Sequence, residues 1–317
     1  KRMKKKILIV GHKGYVGSVL VHYLSKIKKF QGNIYGIDSN LFSLNNYKIK
    51  KKINIYDINL DCRKINISKL NFKPDIIIYL AAVSNDPMGK NFKIATNDIN
   101  YKNCIDLAKQ AKKHKVEKFI FASSCSMYGS SGSNLKKESD KLQPLTDYAK
   151  SKVYAENNLK KISSNQFKII ALRFATAAGF SENLRLDLVF NDFVANAVLK
   201  KEIELLSNGS SWRPLIHVKD MAKVFHWAIE YKSNKNFLAV NAGSDKWNFK
   251  IIDLAKRVAK VLRSVKIKIR KNNIDKRSYR VNFQLFKKIA PAKYQPSIKF
   301  KTAVKELQFF FIKEKFN

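Results

Sequence analysis

The sequence predicts an α/β protein built on a doubly wound parallel sheet, followed by a smaller C-terminal α/β domain. Three observations carry this. Short apolar runs alternate with amphipathic segments through the first half of the chain, the pattern of parallel strands covered by helices on both faces. The first run, Ile7–Val10, leads into Gly11, Gly14 and Gly17 at three-residue spacing and then into the apolar-periodic segment Val16–Leu24. After Arg173 the strict alternation fades, which marks a second domain.

Strand, glycine turn and helix form the layout in which backbone N–H groups at a helix N-terminus meet a pyrophosphate, with Tyr15 and Val16 in the turn. Asn33–Asp38 follows as a strand ending in a carboxylate, about twenty residues beyond the glycines, where a dinucleotide fold binds the adenosine ribose. No arginine comes directly after Asp38, and Ser39 stands there instead, so NAD is favoured over NADP. Lys48–Lys52 is a basic run read as a solvated edge. Ile53–Tyr56 is a short strand, with Asp61 and Cys62 beyond it expected beside the adenine.

Pro74–Leu80 is an apolar run suited to a central parallel strand. It ends in Leu80, Ala81, Ala82, Val83, Ser84 and Asn85, where small side chains let a ligand approach the carboxyl edge of the sheet. Thr96–Lys113, which includes Asn100, has helical periodicity, and Val116–Ala122 is the next strand. Ser123–Gly129 (SSCSMYG) closes that strand and leads into a polar loop, Ser130–Lys141. Pro144 then precedes a helix that carries Tyr148 and Lys152 four residues apart on one face. Gln166–Arg173 is a further strand. Beyond it the pattern gives a helix over Asp187–Lys200, a loop, strand and turn over Ser207–Asp220, and a helix over Met221–Tyr231. A strand over Phe237–Asn241, a helix over Ile251–Leu262 and a mixed tail from Asp275 complete the chain. The expected division is a cofactor domain at 1–173, rejoined by part of 212–245, and a smaller second domain at 174–317.

Tyr148, Lys152 and Ser124 make chemical sense together. A phenol is a poor base at its ordinary pKa of about 10. An ammonium on the same helix face stabilises the phenolate and lowers that value. A serine hydroxyl within reach holds the substrate oxygen while its proton leaves, and a nicotinamide takes the carbon-bound hydrogen. His12 lies in the glycine turn, where it is expected to face solvent or phosphate. His217 sits in a strand-like PLIHV segment and is read as a structural histidine.

Composition bounds the alternatives. Lys and Arg number 63 against 24 Asp and Glu, a formal net charge of +39. The lysines are dispersed and travel with Asn and Ile, all three encoded by A/T-rich codons, so the excess is read as composition bias. No specific nucleic-acid partner is expected, although the charge favours a phosphate-bearing ligand. Cys62, Cys104 and Cys125 are odd in number and far apart, which supports neither a disulfide framework nor a metal site. A reducing, cytoplasmic setting is expected. No apolar run approaches the ~20 residues of a membrane span, and the lysine-rich start lacks a signal-peptide core.

In succession, GHKGYVG, Asp38, LAAVS, SSCSMYG, YAKSK, LRFATAAG and WRPLIHVKD resemble an extended short-chain dehydrogenase/reductase of the NAD-dependent nucleotide-sugar epimerase and dehydratase branch. The resemblance runs from about Lys4 to about Asn282. It implies a Rossmann-type NAD-binding domain at 1–173 and a mainly nucleotide-sugar-binding substrate domain at 174–317, with a nucleotide-diphosphate sugar as substrate lying in the cleft over the nicotinamide. It also implies a homodimer formed through the helices near Thr96–Lys113 and Thr146–Lys161. Ser124 takes the place of the family's catalytic Ser/Thr, and Tyr148 and Lys152 those of its base and the base's partner. Arg213 matches an arginine that holds the substrate diphosphate, and Arg277 is a second candidate. Ser84, Asn85, Ser126, Thr176 and Asn191 complete the expected substrate contacts, and Asn100 and Phe174 the cofactor contacts.

The departures from the family pattern bear on the reaction. The 4,6-dehydratases carry an Asp-Glu pair directly after the catalytic Thr, whereas this chain has Cys125 and Ser126. The 3,5-epimerases place a cysteine where Ser126 stands, so Cys125 is one place out of register. Thr176 replaces the family's usual Asn. The leading expectation is an epimerase acting at C4 through a transient 4-keto sugar. A 4-keto-sugar reductase is the nearest rival, a dehydratase is less favoured, and a non-catalytic NAD- or nucleic-acid-binding protein is the rival from another class.

Overall fold

The computed structural model describes residues 4–27, 30, 32–41, 55–84, 86–270 and 275–315. The basic run 48–52 and the first two residues of the strand expected at 53–56 lie outside them. In chain order the strands are β1 (Lys5–Val10), β2 (Gly32–Asp38), β3 (Ile55–Asn59), β4 (Ile76–Tyr79), β5 (Lys118–Ser124), β6 (Ser130–Lys136) and β7 (Lys168–Phe174). They continue with β8 (Thr176–Ala178), β9 (Glu202–Leu205), β10 (Trp212–His217), β11 (Phe237–Ala242), β12 (Asn248–Lys250), β13 (Lys266–Ile269) and β14 (Ser278–Val281). The helices are α1 (Tyr15–Ser25), α2 (Asp86–Asn91), α3 (Lys93–Asn97), α4 (Cys104–Lys113), α5 (Asp147–Ile162), α6 (Val189–Leu199), α7 (Val218–Glu230), α8 (Ile251–Leu262), α9 (Gln284–Ile289) and α10 (Phe300–Lys315).

Seven strands form one parallel sheet in the order β11-β7-β5-β4-β1-β2-β3. The side-chain period of two explains why both faces are apolar: Ile7 and Ile9 of β1 enter the core under α1 and α7, while Leu8 and Val10 enter the core under α4 and α5. Strand β1 pairs with β2 on one side and β4 on the other, so the connections diverge there. That divergence opens a crevice at the carboxyl edge, between the turn after β1 and the segment after β4.

The second unit is smaller. Strands β12-β10-β8 and the pair β13-β9 surround a third core of Phe190, Leu215, Trp247, Phe249, Leu254 and Leu307, closed by α6, α8 and α10. Strand β11 lies in the main sheet beside β7, so the chain passes between the two units more than once.

Two expectations are corrected. Residues 130–136 of the polar loop are a strand, β6, pairing in parallel with β14. Its sequence, SSGSNLK, carries no strand propensity, and the pairing comes from tertiary context. The helix expected at 96–113 is continuous but contains a wider, π-type turn at Asp98–Asn103. That turn faces Asn100 into the protein, where it is fully buried.

Candidate active site

The glycine turn is shaped by close backbone approach. Gly11 has φ +87°, and a Cβ on it would lie 2.7 Å from the Ala81 nitrogen. A Cβ on Gly17 would lie 2.3 Å from the Gly11 carbonyl oxygen. At Gly14 the nearest atom is 3.4 Å away, which leaves space in front of the N-terminus of α1. Asp38 ends β2 beside this turn, its carboxylate accepting from the Lys13 and Asn40 backbone N–H groups at 3.0 Å. Crowded glycines, an open helix N-terminus and a fixed carboxylate one strand away fit a dinucleotide.

His12 is corrected. It is fully buried rather than facing solvent or phosphate, with Nε2 3.1 Å from Asp57, and burial lowers its pKa. Its ring packs where a Cβ on Gly36 would come within 2.4 Å, which explains the glycine inside β2.

The remaining expected cofactor residues fall into two groups. Leu80, Ala81, Ala82 and Ser39 lie at the carboxyl edge, Leu80 and Ala81 donating to the Val10 carbonyl. Asp61 caps a short 3-10 turn and accepts from Arg63, which holds its carboxyl below the ordinary range. The Cys62 thiol is pushed up to about 11 by burial. Val16 packs on the core, and the Phe174 ring is buried 4.9 Å from that of Phe225. Tyr15 donates to the Gly179 carbonyl at 2.6 Å, bolting the glycine turn to the second unit.

The Asn100 side chain is fully buried, bonding the Val83 N–H and C=O and the Ser151 hydroxyl, so it positions the strand edge. Asn191 is buried in the same way. Its buried amide bonds the Gly179 N–H, the Arg185 carbonyl and the Tyr15 hydroxyl. The segment from Gly179 to Asn191 therefore docks on the turn, with Ser181 adding bonds to Tyr15 and Ser18 and Asn183 one to Lys13. No motif marks this seal.

Ser124, Tyr148 and Lys152 come from β5 and α5. Thr146 caps α5 by accepting from Ala149 N–H, which fixes the helix start two residues before Tyr148. Lys152 is buried, donates to the Ala122 carbonyl at 2.7 Å, and places its ammonium 5.6 Å from the Tyr148 ring centroid and 4.7 Å from that of Phe121. Ser124 ends β5, and its hydroxyl lies 2.9 Å from that of Ser126. Cys125 points the other way. Its buried thiol donates to the Arg173 carbonyl, and burial raises its pKa strongly.

Beneath this edge lies a network that sequence reasoning missed. Glu156, one turn beyond Lys152, receives a bidentate ion pair from Arg173 at 2.7–3.1 Å and a bond from Ser123 at 2.6 Å. Arg173 also donates to the Tyr128 hydroxyl and the Glu138 carbonyl. The i, i+4 spacing of Lys152 and Glu156 was legible, but the cross-sheet partner was not.

Burial lowers the pKa of Lys152 to about 8, with Cys104 and Glu156 opposing it. Burying that charge costs on the order of 3 kcal/mol. The cost is fully present below pH 8 and fades as pH rises from 8 toward the unfolded value of 10.5. Lys152→Met removes it and strands one carbonyl, a loss of about 1–3 kcal/mol. The expected result is an inactive variant no less stable than the parent at pH 7, checked by urea unfolding across pH 7–10.

Among the expected substrate residues, Arg213 and Arg277 meet at one carboxylate, Asp275. Arg213 is nearly buried over the Tyr279 ring and also donates to the Arg277 carbonyl. Burial would raise the Asp275 carboxyl, but Arg277 and Arg213 hold it below the ordinary range. Thr176 hydrogen-bonds to the Tyr279 hydroxyl. Ser84 accepts from Arg185 at 2.7 Å across the cleft, and Arg185 is pinned by Asp187. Asn85 lies outside the described residues. His217 is buried between the Lys219 N–H and Glu306. No group of three metal-binding side chains exists among the described residues.

Residues 7–243 match the NAD dependent epimerase/dehydratase family. The chain belongs to that family. It is therefore an NAD-dependent enzyme of the epimerase and dehydratase class. The uncharacterized UDP-glucose epimerase YtcB of Bacillus subtilis is 28% identical over 232 residues, 69% of this chain and 70% of that protein. The UDP-glucose 4-epimerase of Mycoplasma pneumoniae is 25% identical over 80% of this chain and 82% of its own length. The fold matches the UDP-N-acetylglucosamine 4-epimerase of Methanobrevibacter ruminantium with a TM-score of 0.85 at 23% identity, covering 98% of this chain and 99% of that one. The UDP-glucuronic acid 4-epimerase of Bacillus cereus, solved with UDP-glucuronic acid and NAD, gives 0.83 at 21% identity over the same shares.

Proposed function

We propose that the chain is a nucleotide-sugar epimerase acting at C4. The observation that carries this reading is the buried Lys152 ammonium beside Tyr148 at the carboxyl edge, next to a strand end whose Cys125 and Ser126 offer no carboxylate. NAD, when bound against the glycine turn and Asp38, supplies the acceptor and donor of the C4 hydrogen. Tyr148 takes the 4-hydroxyl proton and later returns it, Lys152 favouring its anion. Ser124 holds the sugar oxygen. Elimination of water needs an acid and a base, which the neutral pair at 125 and 126 does not provide.

Asp275 occupies the arginine pair until a substrate diphosphate takes its place, and Thr176, Ser84 and Ser126 line the sugar side. Arg213→Ala removes a charge-assisted contact of about 1.5–3 kcal/mol, so KM for the nucleotide sugar rises about 10–100-fold with a smaller change in kcat, read by initial rates.

The same reading gives a cofactor unit at 1–173, joined by part of 212–245, and a substrate unit at 174–317. It gives a homodimer through the helices near Thr96–Lys113 and Thr146–Lys161, supported by the exposed Tyr154, by the exposed Phe92 and Ile94 just ahead of the first, and by the Tyr101–Tyr154 ring contact. A cytoplasmic site fits the three free thiols, and no helix among the described residues is long and apolar enough to cross a membrane.

The test is a panel of UDP-sugars incubated with NAD-loaded protein. Interconversion of C4 epimers without use of added NAD(P)H supports the proposal. Consumption of NAD(P)H establishes a reductase, loss of water a dehydratase, and no reaction with any sugar returns the reading to a binding protein.

A further inference from the structure

The arginine proposed to hold the diphosphate, Arg213, lies on one face of β10, against the neighbouring strand β14. On β10 the period of two turns Arg213 to that face and Trp212 to the other, and on β14 Tyr279 and Arg280 alternate in the same way. Arg213 lies over Tyr279 on the first face. On the opposite face the Arg280 guanidinium stands 4.3 Å from the Trp212 ring centroid and the Lys250 ammonium 5.6 Å. Trp212 walls a cavity of about 390 Å³, lined further by Lys246, Phe249, Lys256 and Arg257, with Asp253 its one carboxylate. The Arg257 guanidinium is mounted 4.9 Å over Phe249. Among the described residues, none of Lys246, Lys256 and Arg257 is paired with a carboxylate.

We propose that this cavity is a second anion site, taking the polyphosphate group of a nucleotide-sized ligand, distinct from the diphosphate held by Arg213. A dispersed lysine coat follows from composition, but a guanidinium fixed on an aromatic face in the wall of one concavity, beside two further cations, does not. Aromatic mounting orients the cations and reduces the freedom lost on binding, and the guanidinium fork matches phosphate oxygens. The volume falls in the small-ligand range. A single nucleic-acid strand needs an open groove with free stacking faces, whereas the Trp212 ring already carries two cations.

The experiment titrates NAD-loaded full-length protein with ATP and with inorganic triphosphate, followed by calorimetry and tryptophan fluorescence at low and high salt. Saturable, salt-sensitive binding that quenches fluorescence is expected. Lys256→Ala/Arg257→Ala weakens it about tenfold or more with epimerase activity and thermal midpoint unchanged, while Arg213→Ala leaves it unaltered. Equal affinities mean that the phosphate chain alone is read, and tighter ATP binding adds a contact to the nucleoside; both support the site. Absence of saturable binding, indifference to the double substitution, loss in Arg213→Ala, or tighter binding of a short single-stranded oligonucleotide than of either ligand overturns it.

Discussion

Tyr148→Phe lowers turnover by about 10²–10⁴-fold, with the protein still folded and still carrying NAD. The ring fills the same volume, so Lys152 keeps its bond to Ala122 and its place beside the ring. Only the phenolic oxygen is lost, and with it the group proposed to move the hydroxyl proton. Rates measured from pH 6 to 10, with cofactor content read by absorbance, check this. A variant that keeps more than about a tenth of the parent rate places the base elsewhere.

Glu156→Ala destabilises the protein by about 3–5 kcal/mol, because it leaves the Arg173 guanidinium charged and buried without its partner. The loss spreads to the site, since Glu156 also holds Ser123, the neighbour of Ser124, and Arg173 ties β7 to Tyr128. Denaturant unfolding of the parent and the variant measures it. Glu156→Ala/Arg173→Met, which removes both charges, recovers much of the loss if the penalty is an unpaired charge rather than an emptied volume.

The main sheet is legible because its strands other than β3 are built on short apolar runs, and Gly11 and Gly17 of the turn answer to a steric demand. The Tyr148–Lys152 pair was legible because four residues on a helix is one face. The seal formed by Gly179–Asn191 was not, because Tyr15, Ser18, Ser181 and Asn191 meet across more than 160 residues of chain through hydrogen bonds that leave no periodic signal. Asn100 and Asn191 stand where ligand contacts were expected, yet their amides clamp backbone, a distinction of burial that spacing does not carry. His12 was misplaced for a related reason: a turn looks exposed in sequence, and only the missing Cβ of Gly36 makes room for the ring. Strand β6 looks like a loop in sequence because its partner β14 lies far along the chain.

The central claim is that the C4 hydrogen leaves and returns within one active site. The most direct measurement uses a nucleotide sugar deuterated at C4, turned over in ordinary water with NAD-loaded protein and read by NMR. The account predicts an epimerised product that retains deuterium at C4, with no label in the solvent. Deuterium lost to water, with hydrogen at C4 of the product, would contradict it.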